Sequence, residues 1–174
     1  MNKNRKLKRT VITEEEIKAR LVTLAKEIET DYKDIDGPIY LIGILKSSFV
    51  FIADLCRVLK IPFEVHFMAT ANYDQDDAVK IVKDLSKSVA NKHLIIIEDI
   101  LDTGATLNYL ARYLGSRGPA SLRTCVLLDK IGSQVESHVK YIGFEVPEGD
   151  YVGYGIDSNE QYRGLPYIAE IDNN

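Results

Sequence analysis

Hydrophobic and polar positions change their period several times along this chain, and each change marks an element. Thr13 precedes Glu14, Glu15 and Glu16, an order that lets a hydroxyl and a carboxylate cap a helix reciprocally, and Ile17, Leu21, Leu24 and Ile28 follow at helical spacing. The spacing predicts an amphipathic helix over residues 13–32. Asp36-Gly37-Pro38 reads as a turn and IYLIGIL, ending at Leu45, as a short strand. Ser47 or Ser48 is placed to cap a second helix that turns Phe49, Ile52, Leu55, Cys56 and Leu59 inward.

After Pro62, FEVHFMA is a further strand. The polar first half of TANYDQDDAVKIVKDL reads as a mobile loop, before the alternation of Val79 and Ile81. HLIIIEDI is a β-branched run of the kind buried on both faces of a parallel sheet, and DTGATLNYLARYLG passes straight into a helix closed by Gly118-Pro119. TCVLLDK, VKYIGFEV and the shorter YVGYGID complete the strands. Strands alternating with helices imply an α/β fold with a largely parallel sheet and right-handed crossovers. Such sheets bind ligands beyond the carboxyl ends of their strands, so strand-end residues become the functional candidates.

Composition narrows this picture without changing it. The 174 residues, 45% hydrophobic with 11 Gly and 5 Pro, suit one globular domain over 1–174, large enough to fold without disulfides or structural metal. Cys56 and Cys125 lie in apolar stretches with no CxxC or histidine partner and read as core hydrophobes, as in a reducing cytosol. No stretch approaches the roughly 18 apolar residues of a membrane span, and MNKNRKLKR is followed by TVITEEEIK rather than a secretory core. A cytoplasmic location with no membrane partner is expected. A net charge of −4 and a pI near 5.4 argue against a nucleic-acid surface. Lys3, Arg5, Lys6, Lys8 and Arg9 concentrate in residues 1–12, which read as a solvated basic tail.

The sharpest chemical feature runs from Ile95 to Thr106. An apolar strand leads into Glu98, Asp99 and Asp102, and then into a Thr103-Gly104-Ala105-Thr106 turn that opens a helix. Free backbone N–H groups and the positive dipole end at such a terminus bind a monoester phosphate; Gly104 permits close approach, and Thr103 and Thr106 add hydroxyls. Carboxylates repel phosphate, so Glu98 and Asp99 have another role: accepting hydrogen bonds from sugar hydroxyls, directly or through magnesium. A ribose phosphate satisfies both halves, and Asp102 is placed to exchange a proton with a base nitrogen. Each acid alone could be a helix cap or a solvated strand-end charge, but three in five residues at a strand end point to a site. The two common nucleotide loops are missing: no GxxxxGK[ST] occurs, and after Gly153-Tyr154-Gly155 the third glycine position holds Ser158.

From about Ile39 to Ile171 the chain resembles the type I phosphoribosyltransferases, and within them the hypoxanthine/guanine members. The resemblance rests on Glu98 to Thr106 with LKSSFVFIADL at 45–55, VKIVKDL at 79–85, LLDK at 127–130, YIGFEVP at 141–147 and VGYGIDSNEQYRGLPYI at 152–168. It implies a mostly parallel central sheet flanked by helices, with a small hood and a mobile loop. The implied reaction is purine salvage, transfer of 5-phosphoribosyl from phosphoribosyl pyrophosphate to hypoxanthine or guanine, with Mg2+ and as a homodimer or homotetramer. By the same resemblance Glu98 and Asp99 bind the ribose hydroxyls and magnesium, Asp157 is a further magnesium ligand, and Asp102 is the acid/base residue at purine N7. Thr103, Gly104, Ala105 and Thr106 cradle the 5-phosphate. Lys130 donates to the 6-oxo group, Arg163 touches pyrophosphate, Leu45 and Lys46 form a pyrophosphate loop of unusual peptide geometry, and Tyr73 lies in the lid.

The chain departs from the family pattern at three places. Ser47 stands where glycine is usual, Asn72-Tyr73 stands for Ser-Tyr before a short acidic DQDD, and Asp150 occupies the position of the aromatic that stacks on the purine. Tyr151, one residue on, is the alternative for stacking; otherwise base binding leans on Lys130 and on backbone contacts from Tyr151 and Asp157. The departures keep two alternatives in play: a catalytically weak nucleotide-sensing regulator on the same fold, and the same reaction on xanthine.

Overall fold

The computed structural model describes residues 6–72, 79–132 and 139–172. In chain order the elements are β1 (Leu7–Ile12), α1 (Glu14–Tyr32), β2 (Ile39–Leu45), α2 (Phe49–Val58), β3 (Phe63–Asn72), β4 (Val79–Lys83), β5 (His93–Leu101), α3 (Ala105–Gly115), β6 (Ser121–Lys130), β7 (Val139–Val146), β8 (Tyr151–Val152) and β9 (Ile168–Ile171). Six strands form the central sheet in the order β4-β3-β2-β5-β6-β7. β3, β2, β5, β6 and β7 are parallel, and β4 returns antiparallel along β3. A second sheet of three strands, β1-β9-β8, supplies the hood.

Local signals account for the helices that cover the sheet. The Glu16 N–H donates to Thr13 Oγ1 at 3.2 Å and the Thr13 N–H donates to Glu16 Oε2 at 2.8 Å, so the capping box starts α1. Its Ile17, Leu21, Leu24 and Ile28 pack with α2 onto Ile39, Leu41, Ile95 and Ile97. α3 covers the opposite face, where Leu107, Leu110 and Leu114 meet Ile42, Ile44, Leu94 and Ile96. β5 therefore lies between two cores, which explains why its apolar run is continuous rather than alternating. Each fully buried Leu or Ile here contributes roughly 1.5–3 kcal/mol. This packing fixes the strand ends from which the site is built. None of the helices among the described residues is long and apolar enough to cross a membrane.

Three sequence expectations need correction. Residues 7–12 are not a solvated tail but strand β1, paired antiparallel with β9. Lys8 and Arg9 donate to the two carboxylate oxygens of Glu170 at 2.8 and 2.9 Å. The partner is 162 residues away, so nothing local announced the strand. Ser48 does occupy the N-cap position of α2, but its hydroxyl donates back to the Ile44 carbonyl at 2.6 Å and caps nothing. Finally, Phe49 is 44% exposed and Phe51 is the buried aromatic of α2.

Candidate active site

The carboxyl end of β5 and the first turn of α3 form one pocket. Glu98, Ile100, Leu101 and residues 102–107 line it. Gly104 sits at the N-cap of α3 with φ +80°, a left-handed conformation that costs a side-chain-bearing residue and suits glycine. Neither Asp102 nor Thr103 caps the helix in the usual way; the Ala105 N–H reaches Thr103 Oγ1 only at 3.4 Å. The first-turn amides therefore face the pocket with the positive end of the helix dipole behind them, an anion site.

The two neighbouring acids stand where the alternation of β5 breaks: Ile95, Ile97 and Ile100 pack on one face, Leu94, Ile96 and Leu101 on the other, and the Glu98 and Asp99 carboxyl groups hydrogen-bond each other. Burial holds the Glu98 carboxyl well above the ordinary range, with the Asp99 charge adding to it. Its Oε2 is buried without a hydrogen-bond partner. Burial also raises Asp99, against the pull of hydrogen bonds from the Ser47 hydroxyl and its own backbone. Ser47, standing where the family usually has glycine, thus has work at the site.

A stability consequence follows for Glu98. The folded chain holds this proton more tightly than the unfolded one. The favourable contribution is complete below the unfolded value near 4.5 and is lost as pH rises toward the folded value. Glu98→Gln should therefore stabilise the ligand-free protein by about 1–3 kcal/mol at neutral pH, with the gap closing as pH falls toward 4.5. Urea midpoints of both proteins at pH 5 and pH 8 test this; a gap that does not grow with pH rules out buried charge as its cause.

A second pocket shares Ile100 and Asp102 with the first. Lys130, Gly149, Asp150, Tyr151, Ile156, Asp157, Ser158 and Ile171 complete its wall. Lys130, only 6% exposed at the end of β6, places its ammonium 3.1 Å from Asp102 Oδ2 and 3.2 Å from Glu148 Oε1. Burial works against that charge, but hydrogen bonds to Asp102 and Glu148 outweigh it and hold the pKa above the ordinary lysine value. Two of the three ammonium N–H groups are engaged by Asp102 and Glu148, and the ammonium faces the pocket. The Tyr151 ring is packed into the core and its hydroxyl donates to the Pro147 carbonyl at 2.8 Å, so it is held in place rather than swung out.

The third group lies where β2 ends. The Leu45-Lys46 peptide is cis, the unusual geometry the resemblance implies. Lys46 Nζ is 2.6 Å from Glu160 Oε1. Arg163 Nη2 is 2.8 Å from Asp157 Oδ1 and 3.1 Å from Glu160 Oε2, and its Nη1 donates to the Gly155 carbonyl at 2.9 Å. The Glu160 N–H closes the network on Asp157 Oδ2 at 2.8 Å.

Of the residues singled out in the sequence, Glu98, Asp102 and residues 103–106 line the first pocket, and Asp102, Lys130, Tyr151 and Asp157 the second. Leu45, Lys46 and Arg163 belong to the third group, and Asp99 reaches it through Ser47. Tyr73 lies outside the described residues. Sequence reasoning missed Glu148, whose partner Lys130 is 18 residues away, and Glu160, which pairs with Lys46 114 residues away as well as with Arg163 three along. Among the described residues no three of His, Cys, Asp and Glu cluster as a metal group. Magnesium needs only one or two carboxylates, completing its shell with water and substrate phosphate. Glu98, with its unpartnered buried oxygen, and Asp99 offer two carboxylates of that kind at the end of β5, whereas both oxygens of Asp157 are engaged by Arg163 and the Glu160 N–H.

A family model described as "Phosphoribosyl transferase domain" matches residues 11–159. The chain is 43% identical over 166 residues to the hypoxanthine phosphoribosyltransferase of Salmonella typhimurium, covering 92% of this chain and 93% of the relative. It is 37% identical over 177 residues to the hypoxanthine-guanine phosphoribosyltransferase of Mycobacterium tuberculosis, covering 95% and 87%. A crystal structure of a hypoxanthine-guanine phosphoribosyltransferase from Bacillus anthracis, with HEPES in its active site, matches with a TM-score of 0.91 at 37% identity, covering 96% of this chain and 100% of that one.

Proposed function

Because this chain belongs to the phosphoribosyltransferase family, we infer that it is an enzyme of purine salvage. It transfers 5-phosphoribosyl from phosphoribosyl pyrophosphate to hypoxanthine or guanine, giving IMP or GMP and pyrophosphate. One observation carries the assignment of the site: Asp102 is a shared wall of the helix-terminus pocket and the Lys130 pocket. A ribose phosphate in the first and a base in the second meet at its carboxylate.

The amides of the α3 first turn and the hydroxyls of Thr103 and Thr106 hold the 5-phosphate. Glu98 and Asp99 orient the ribose hydroxyls. The ammonium of Lys130 donates to a 6-oxo group; adenine presents a donor there and leaves Lys130 unsatisfied, a mismatch that sites built on hydrogen bonds reject strongly. Nitrogen N9 bonds to C1 as the C1–O bond to pyrophosphate breaks, and Asp102 accepts the N7 proton. Lys46 and Arg163 offset the charge on the leaving pyrophosphate. Glu98, Asp99 and Asp157 are the residues that would hold magnesium, which would supply further charge neutralisation when bound. One domain over 1–174, a cytoplasmic location and assembly as a dimer or tetramer belong to the same proposal; the half-exposed Phe49 supports self-association.

The test is nucleotide formation from phosphoribosyl pyrophosphate with hypoxanthine, guanine, xanthine and adenine, with and without magnesium. Magnesium-dependent IMP and GMP with negligible AMP is expected. Nucleotide binding without turnover of any base would identify a regulator instead, and XMP as the main product would move the preference to xanthine.

A further inference from the structure

Glu160 has no part in the reaction as derived above, yet its carboxylate spans both cations assigned to pyrophosphate. One oxygen is 2.6 Å from Lys46 Nζ and the other 3.1 Å from Arg163 Nη2. The two cations come from distant parts of the chain, and among the described residues this carboxylate touches both. The turn is shaped to present it. Ser158 and Gln161 pair across the turn, and Asn159 and Glu160 both adopt positive φ, 52° and 61°. Asparagine tolerates that region; glutamate with its Cβ does so at a cost, which its contacts offset. The Glu160 N–H anchors the turn to Asp157.

We propose that Glu160 is a built-in counter-anion for the pyrophosphate site: it holds Lys46 and Arg163 in position while no pyrophosphate is bound, and the incoming diphosphate displaces it. This rests on the reading of Lys46 and Arg163 as pyrophosphate ligands. Two effects oppose each other. Without Glu160 between them Lys46 is repelled by Arg163, which Asp157 and the Gly155 carbonyl still hold, so Glu160 preorganises the site chiefly by keeping Lys46 in place. Yet pyrophosphate must break both ion pairs to enter, so the same carboxylate weakens its retention and hastens its release as product. Lys46 and Glu160 are well exposed, which keeps the competition modest and the exchange possible. Glu160 acts through Lys46 and Arg163 and is a positioning residue.

The experiment measures inhibition by inorganic pyrophosphate and the KM values of phosphoribosyl pyrophosphate and hypoxanthine in Glu160→Gln, Glu160→Gly and Lys46→Ala. Glycine removes the carboxylate while suiting the left-handed turn, so loss of the ion pairs is separated from disturbance of the backbone. Both Glu160 variants should tighten pyrophosphate inhibition and lower the KM of phosphoribosyl pyrophosphate by about three- to tenfold, with the hypoxanthine KM unchanged. Unchanged or weakened pyrophosphate inhibition in both, with inhibition weakened in Lys46→Ala, overturns the counter-anion and leaves the site assignment intact. Unchanged inhibition in Lys46→Ala overturns the assignment of Lys46 and the counter-anion with it.

Discussion

Asp102→Asn should lower kcat by about 10²–10⁴-fold, the usual contribution of a positioned general acid or base, while the hypoxanthine KM moves little. Asparagine keeps the shape of the carboxylate and its carbonyl oxygen can still accept from Lys130, but it takes up no proton from N7. Lys130 also keeps its second partner, Glu148 at 3.2 Å, so the buried ammonium is not stranded by the substitution. The loss thus falls on the proton-transfer step rather than on base binding. Single-turnover rates of IMP formation with saturating substrates read that step directly. A variant in which the KM of the base rises as much as kcat falls would mean that Asp102 serves binding, with the N7 proton leaving by another route.

The contrast between Asp102 and Lys130 also shows what a sequence discloses of a site. The run from Ile95 to Thr106 was legible because a single continuous segment carries its own physics: an apolar strand, then acids, then a glycine turn into a helix. Lys130, Asp157 and Arg163 have no local signature of that kind and entered through the family resemblance. Glu148 and Glu160 entered through neither: Glu148 meets Lys130 only in the fold, and Glu160 bridges its near neighbour Arg163 to Lys46 only when the fold brings Lys46 to it. The same division separates the elements of the fold. α1 was legible from its capping box and periodicity, whereas β1, with the polar sequence LKRTVI, is a strand only because β9 pairs with it. In α2 the run FVFI offers two adjacent apolar faces; the register that buries Phe51 and exposes Phe49 is set by the sheet beneath, not by the helix. Asp150 in place of a stacking aromatic is likewise a fact of sequence whose consequence is spatial. It lines the Lys130 pocket with Tyr151 fixed beside it, and apolar surface there comes from Ile100, Ile156 and Ile171.

Gly155→Ala should damage folding and ligand binding together, because one backbone position there serves both the fold and the proposed pyrophosphate site. Gly155 has φ +103°, a conformation a residue with a Cβ rarely adopts. A Cβ built on it would lie 2.1 Å from the Ser47 carbonyl oxygen. That atom is backbone and cannot swing aside, so either the 45–48 turn or the 153–157 loop must move. The Gly155 N–H donates to the Arg163 carbonyl, and its own carbonyl accepts from the Arg163 guanidinium, both at 2.9 Å. Displacing the loop therefore displaces Arg163, while displacing the turn moves Lys46 and draws the Ser47 hydroxyl away from Asp99. Backbone strain and overpacking each cost about 1–3 kcal/mol, so a loss of roughly 2–6 kcal/mol in unfolding free energy is expected. Phosphoribosyl pyrophosphate should also bind at least about tenfold more weakly, the usual penalty for misplacing charge-assisted phosphate contacts by 1.4 kcal/mol or more. Gly164→Ala is the matched control: a Cβ there meets nothing within 4 Å, and its effect should stay within about 0.5 kcal/mol. Urea unfolding of both variants, with isothermal titration of phosphoribosyl pyrophosphate, separates the outcomes. Equal, small effects would mean that the contact of Ser47 with Gly155 yields easily and does not couple the two loops. A stable Gly155→Ala protein that has lost binding would mean that the turn gives way and takes Lys46 with it.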